Sequence, residues 1–289
     1  MYILRSMLFV PAHVDRYIES ALKSNADCLI LDLEDSVPEP EKEKARINIK
    51  NLFDKGLLSD RQIIVRANSL ESGYFIDDVE STVNDNLLGY MPAKIGTADD
   101  VRKIVEILDV FEKTKKLKHT LKLLPLIETC EAIFNVLDIA KASDRLIALC
   151  FGNEDMATDL VGGTDVMLET LQVPRFLICA AARAVGIEPI DTVFIDMEDI
   201  ASFKAREVFA KKMGYSGVLC VHPSQVSVAN ACFSPSDIEI TKANKIIDAV
   251  ETSRKAGHNI TILDGNIVGP PMIKNAYKVL ELVNMLEDN

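Results

Sequence analysis

Short apolar runs rich in β-branched residues recur along the first three-quarters of the chain. Each leads through a polar turn into a stretch whose apolar residues fall at helical spacing. The runs are 7–11 (MLFVP), 28–34 (CLILDLE), 62–68, 88–94, 121–129, 146–155, 191–198 and 217–223, and they read as strands. Helical spacing marks 14–24, 40–53, 98–117, 131–142, 172–185 and 199–213; Val101, Ile104, Val105 and Leu108 show it plainly at i, i+3, i+4 and i+7. Eight alternations predict an α/β fold with a parallel sheet covered by helices, and the number eight favours closure into a (β/α)8 TIM barrel. A doubly wound open sheet is the alternative. No G-x-G-x-x-G follows the first strand and no G-x-x-x-x-G-K-[ST] occurs, which weakens the nucleotide-binding versions of either fold.

Beyond residue 223 the alternation stops. Residues 224–234 read as an irregular polar link, 235–257 as one helix, 258–272 as a turn-rich strand and loop, and 272–286 as a last helix. The expected organisation is a barrel over 1–223 with a small helical and loop extension over 224–289.

Composition narrows the picture. A hydrophobic content of 48% with 26% charged residues is that of a globular domain. A net charge of −12 argues against nucleic acid and against an anionic membrane, either of which wants a basic face. It leaves room for an anionic small ligand in a local positive pocket. The six cysteines (28, 130, 150, 179, 220, 232) form no C-x-x-C pair and read as reduced thiols. The N-terminal stretch meets a proline and charges too early for a secretory leader, and no apolar run is long enough to span a bilayer. The expectation is a soluble, cytoplasmic protein.

Several apolar runs end in acids: ILDLEDSV (30–37), FGNEDMA (151–157) and FIDMEDIA (194–201). In a barrel the C-terminal strand ends gather at one mouth, where active sites of that fold lie. There the pattern places Asp32, Glu34 and Asp35, with Asp35 pointing away from the other two; Arg66 and Asn68; Lys94; Glu128; Asn153, Glu154 and Asp155; Asp196, Glu198 and Asp199; and His13 and His222. So many carboxylates need positive charge among them. A hard cation such as Mg2+ with oxygen ligands and retained waters would supply it, held directly by only one or two acids. Each residue also has a structural reading. Asp35 or Ser36 could cap the helix at 40–53, Arg66 could be a buried ion pair, and Glu128 or Asp155 could serve the start of the next helix. One acid of FIDMED could cap the helix at 199–213, and His222 reads as structural rather than as a base. His119 and His258 read as surface residues. Gly152-Asn153 favours function, because exposed N–H groups at a helix start can receive a carboxylate.

In order along the chain, RSMLFVPA (5–12), LDLEDSV (31–37), IIVRAN (63–68), PAK with DDV (92–101), PLIET (125–129), FGNEDM (151–156), AARAVGIEPIDTVF (181–194) and the GxxGxxCVHPSQ stretch from Gly214 to Gln225 resemble the citrate lyase β-subunit family. This is the CoA-ester lyase branch of the HpcH/HpaI aldolase superfamily. The resemblance implies a barrel whose C-terminal extension packs on a neighbouring subunit of a homotrimer or hexamer. It also implies Mg2+-dependent cleavage of a 3-hydroxy-3-carboxyacyl-CoA thioester (citryl, malyl or citramalyl) to a 2-oxoacid and acetyl-CoA. Carried over, Glu128 and Asp155 match the metal ligands, and Arg66 the arginine facing the oxoacid and the thioester oxygen. Asp32, Glu34 and Asp35 match the acidic motif beside the metal's waters. The backbone over Asn153, Glu154 and Asp155 matches the turn that holds the substrate carboxylate, and Lys94 falls in the Pro-Lys region.

The chain departs from the pattern at one place. Members carry a catalytic aspartate late in the extension, and its position here is Gly269; Asp264, five residues earlier, is the candidate substitute for proton transfer. That departure keeps alternatives in view: an aldolase for free 2-oxoacids, a thioesterase on the same barrel, or a non-catalytic thioester-binding subunit of a larger lyase.

Overall fold

A computed structural model describes residues 2–161, 170–255 and 260–287. His258 lies outside the described residues. The elements run β1 (Ser6–Pro11), α1 (Asp15–Leu22), β2 (Cys28–Asp32), α2 (Lys42–Asp54), β3 (Gln62–Ala67), α3 (Phe75–Thr82), β4 (Gly89–Pro92), α4 (Ala98–Lys115), β5 (Lys122–Leu123), β6 (Leu126–Ile127), α5 (Cys130–Ala140), β7 (Ala148–Phe151), α6 (Asn153–Val161), α7 (Gln172–Val185), β8 (Glu188–Asp191), α8 (Ile200–Met213), β9 (Gly217–Cys220) and α9 (Pro223–Phe233). Then follow α10 (Asp237–Lys255), β10 (Ile262–Leu263), β11 (Asn266–Ile267) and α11 (Pro270–Glu287). The chain divides into two compact units, one over Tyr2–Cys232 and one from Phe233 onward.

The first unit holds a curled, nine-stranded parallel sheet, ordered β5-β4-β3-β2-β1-β9-β8-β7-β6, in a TIM-barrel-like arrangement. The outermost strands, β5 and β6, are neighbours in the chain, separated only by Leu124-Pro125. Pro125 has no N–H to give a ladder, which divides the single strand expected over 121–129. Leu123 sends its N–H to the Arg145 carbonyl at 2.9 Å and receives that of Ile147 at 3.1 Å. Leu124 donates to Tyr90 at 3.0 Å on the other side.

One apolar cluster draws on the whole sheet: Met7, Cys28, Ile30, Ile64, Met91, Leu124, Leu126, Cys150, Ile190 and Leu219 are all buried in it. Helices cover the outer face. In α4, Thr97 and Asp100 form a reciprocal capping box, and Val101, Ile104 and Leu108 are its buried stripe. The polar link expected at 224–234 is instead helix α9. Its buried Val226 and Ala229, and then Cys232 and Phe233, recur at steps of three to four residues, so the chain gains an apolar face by coiling. In the second unit, Ala243, Ile246, Val250, Val268 and Ala276 form a small core. Among the described residues no helix is long and apolar enough to cross a membrane, and the six cysteines are free.

Candidate active site

Side chains alternate across a strand, so residues two apart share a face. Asp32 therefore follows Cys28 and Ile30, Arg66 follows Ile64, and Glu128 follows Leu124 and Leu126. Those apolar residues pack into the shared interior cluster, and the polar ones are carried to the same face at the C-terminal strand ends.

Arg66 is the hub. Its Nε and Nη2 donate to Asp32 Oδ1 and Oδ2 at 2.6 and 2.5 Å, a two-pronged pair. Its Nη1 stands 3.1 Å from Glu34 and 3.9 Å from Asp35, and the guanidinium lies 4.7 Å above the Phe9 ring. Burial would raise the Asp32 carboxyl, but the Arg66 charge and hydrogen bonds, with those from Ser36 and the Glu34 N–H, outweigh it and hold the group below the usual carboxylate range. Glu34 goes the other way: burial, with the neighbouring Asp35, overrides Arg66 and pushes it up to about 7.

The structure corrects the expected direction of Asp35. β2 stops at Asp32, whose carboxylate accepts the N–H of Glu34 at 2.9 Å and of Ser36 at 3.3 Å. The chain is drawn into a turn, closed by the Val37 N–H on the Glu34 carbonyl at 3.0 Å. All three acids consequently approach one guanidinium.

Two residues hold this turn from behind: Asn68, which the sequence places at the strand ends, and Lys42, which it does not single out. Lys42 Nζ donates to the carbonyls of Leu33 and Glu34 and to Asn68 Oδ1 at 2.8, 3.1 and 2.8 Å. Asn68 in turn donates to Asp78 Oδ2 at 2.7 Å. Carbonyl partners leave no mark on a side-chain pattern, so Lys42 looks like one more charge in PEPEKEKAR.

Opposite the acids, Lys94 has a left-handed backbone, φ 55°, which turns its N–H onto Glu128 Oε1 at 2.7 Å. Its Nζ is 3.9 Å from Glu34 Oε1. Burial pulls that amine down, but Glu34, Asp155, Asp35 and Glu128 together raise it. Glu128 is 2% exposed; burial first, then the charge of Asp155, pushes its carboxyl up to about 8. A buried carboxyl raised by a neighbouring carboxylate charge is stabilised in its ionised form by any cation placed beside it. Among the described residues, no three His, Cys, Asp or Glu side chains are gathered as a metal cluster.

β7 ends at Phe151, and Asn153, Glu154 and Asp155 form the first turn of α6, not the strand expected through 155. The Asn153 N–H donates to Thr192 Oγ1 at 3.1 Å, and the Thr192 hydroxyl donates to Asn153 Oδ1. The sequence does not single out Thr192; its only signal is its place at the start of the apolar run over 191–198.

Other acids stay apart. β8 ends at Asp191 instead of running to 198. Asp196 accepts the N–H groups of Glu198 and Asp199 at 3.0 and 3.2 Å, and Asp199 caps α8 through Ser202. Both are exposed turn and cap residues. His222 is exposed and turned onto Ser224 at 2.8 Å. Asp264 belongs to the second unit, where it forms with Gly265 the left-handed two-residue turn (φ 50° and 78°) between β10 and β11.

Residues 5–223 match the model of the HpcH/HpaI aldolase/citrate lyase family. The chain belongs to this family. It is 32% identical over 277 residues to the citrate lyase subunit beta of Escherichia coli K12, covering 96% of this chain and 92% of that one. To the L-malyl-CoA/beta-methylmalyl-CoA lyase of Rhodobacter capsulatus it is 31% identical over 301 residues, covering 97% and 95%. The fold is shared with a Mycobacterium tuberculosis protein, CitE, solved with magnesium, acetoacetate and coenzyme A: TM-score 0.75, 24% identity, coverage 96% and 97%. These HpcH/HpaI relatives from E. coli and R. capsulatus are named lyases, and the chain is an enzyme of that carbon–carbon lyase class.

Proposed function

We propose that this enzyme is a Mg2+-dependent lyase that splits a 3-hydroxy-3-carboxyacyl-CoA thioester of the citryl, malyl or citramalyl type into a 2-oxoacid and acetyl-CoA. The observation that carries it is Arg66, fastened by two bonds to Asp32 on the strand face that also carries Glu128. A donor so placed suits an enolate oxygen, and paired oxygen ligands beside it suit a hydroxyacid held through a hard cation.

Glu128 and Asp155 would hold the metal. The fit rests on their donor type and on the rise of the Glu128 carboxyl next to Asp155, a cost that a divalent cation removes. When bound, Mg2+ supplies Lewis-acid polarisation of the substrate's hydroxyl and carboxylate oxygens. Asp32, Glu34 and Asp35 would accept hydrogen bonds from its waters. In the first turn of α6, where Thr192 holds the Asn153 N–H, the N–H groups of Glu154 and Asp155 would receive the oxoacid carboxylate. Breaking the carbon–carbon bond leaves negative charge on the thioester enolate, which Arg66 would meet with the N–H donors not committed to Asp32. Lys94 adds positive charge on the same side.

Two further assignments rest on the resemblance. The sheet would close as a (β/α)8 barrel with β5 and β6 acting as one strand, a reading supported by the bonds of Leu123 to Arg145 and Ile147. The extension would pack on a neighbouring subunit of a trimer or hexamer and bring Asp264 to the enolate carbon as the proton carrier.

The decisive assay gives purified enzyme and Mg2+ citryl-, malyl- and citramalyl-CoA. Acetyl-CoA together with a 2-oxoacid is the expected product. Free CoA without carbon–carbon cleavage would establish a thioesterase instead, and turnover of free hydroxyacids without CoA an aldolase. Asp264→Asn should cut turnover at least about 100-fold if it moves the proton.

A further inference from the structure

The hydroxyl of Thr192 makes two contacts with one residue, accepting the Asn153 N–H and donating to the Asn153 side-chain oxygen. Thr192 is 0% exposed and directly follows β8, where the chain leaves the ladder. A strand end that leaves its sheet ordinarily frays, because its carbonyls lose their partners. Here each one is taken. Arg206, reaching from α8, donates to the carbonyls of Thr192 and Val193 at 2.8 and 2.9 Å. Its guanidinium lies 4.9 Å over the Phe194 ring. Gln225, from α9, donates to the Phe194 carbonyl at 2.7 Å, and its other amide atom accepts the N–H of Val221 and of His222 at 2.9 and 3.2 Å. The exit of β8 is thus tied to α8 and to the exit of β9.

From this we infer that Thr192 is a positioning residue, which fixes the first turn of α6 so that the N–H groups after Asn153 and the Asp155 carboxylate keep one bearing. The inference deepens the lyase reading and rests on it for the identity of the ligand. The mechanical argument is independent of that reading. The first N–H groups of a helix have no partner within it and let the end fray. Thr192 takes the first of these and, by the same hydroxyl, prevents the Asn153 side chain from folding back to cap the next two. Those two remain directed outward, available to an incoming carboxylate. Arg206 and Gln225 act one step further back by holding Thr192 still.

The test is Thr192→Val, which keeps shape and removes the hydroxyl, beside Thr192→Ser, which keeps the hydroxyl. Amide hydrogen exchange at Asn153, whose N–H Thr192 holds, is expected to accelerate about tenfold in Thr192→Val and to return toward wild type in Thr192→Ser. Calorimetry with pyruvate in the presence of Mn2+ should show about a tenfold weaker Kd in Thr192→Val, with the Kd for CoA alone unchanged. Wild-type exchange at α6 in Thr192→Val, or a serine variant no better than the valine, overturns the inference. Equal weakening toward pyruvate and CoA overturns it as well, since that is general loosening. Should wild-type enzyme bind no pyruvate, the lyase reading falls, and the exchange comparison still decides for or against Thr192. If Thr192→Val does not fold, Arg206→Lys, which loses the fork on the two carbonyls, is expected to accelerate exchange at the Asn153 amide about threefold.

Discussion

The Glu128 carboxylate occupies the space that any side chain at Gly152 would need: a Cβ there would stand 2.7 Å from Glu128 Cβ and 2.8 Å from its Oε2. The near group is the root of the Glu128 side chain, which cannot swing away without backbone movement. Gly152→Ala is therefore expected to displace Glu128 and to lower kcat/KM about 100-fold while the far-UV spectrum stays native. Calorimetry with Mn2+ checks the cause: an alanine variant that binds Mn2+ like wild type would refute it.

Arg66→Lys is not a conservative change here. Lysine presents a point charge where two N–H groups meet both oxygens of Asp32. Loss of about 1000-fold in turnover is expected, with Tm lowered by several degrees because Asp32 is fully buried and keeps a poorer partner. Arg66→Ala leaves that carboxylate without its cation and is expected to cost about 3–5 kcal/mol in urea unfolding. An unchanged midpoint would show that Arg66 has no part in holding the strand ends.

Lys42→Met removes the cation that gathers the Leu33 and Glu34 carbonyls and Asn68. Asn68 Oδ1 is then left without its donor, while the Leu33 and Glu34 carbonyls keep only the Asn68 and Val37 N–H groups, and a loss of about 1–3 kcal/mol is expected. Because the acid turn sits on those carbonyls, turnover should fall with stability, and a variant of full activity at low temperature would separate the two.

Glu207 sets a pH dependence of stability away from the mouth. It is buried beside Asp191, Arg206 and Arg175, and burial with the Asp191 charge outweighs both arginines, pushing it up to about 8. One oxygen accepts Arg206 Nε at 2.9 Å; the other, Oε2, has no partner. An acid raised in the native state keeps its proton there while the unfolded chain loses it, so between about pH 4.5 and 8 the native state binds more protons. The contribution of Glu207 is full below the unfolded value and is lost as pH rises through about 8. Thermal unfolding should show a fall in Tm on the order of 5 °C from pH 5.5 to 8.5, to which Glu34 and Glu128, pushed up to about 7 and about 8, add with the same sign, and Glu207→Gln should leave a shallower slope. A slope of the same size in the glutamine variant would assign the effect elsewhere.

Legibility in the sequence followed the length and completeness of each signal. α4, α7, α8 and α10 fell within two residues of expectation, because long apolar stripes and caps leave little freedom. α3 was missed: its eight residues include a buried Asp78 held by Arg46 and Asn68, an acid that reads as surface from sequence. β8 was placed too far along, since Thr192-Val193-Phe194-Ile195 has strand-like composition. Its carbonyls go to Arg206 and Gln225 instead, and tertiary partners of that kind do not show in local spacing. At the mouth, Asp32, Glu34, Arg66 and Glu128 were legible because acids interrupt buried runs there. Thr192 and Lys42 were not, because each works on backbone atoms.

A guanidinium already tethered at Nε and Nη2 has little freedom left to follow a ligand. Arg66 presents its remaining donors at a bearing fixed before anything arrives, so homologous acids of different reach are sorted by whether their oxygen lands on that bearing. On the proposed lyase reading, such a site would discriminate by length and stereochemistry more sharply than by charge. A mirror-image hydroxyacid thioester carrying identical groups is then expected to bind and stay uncut.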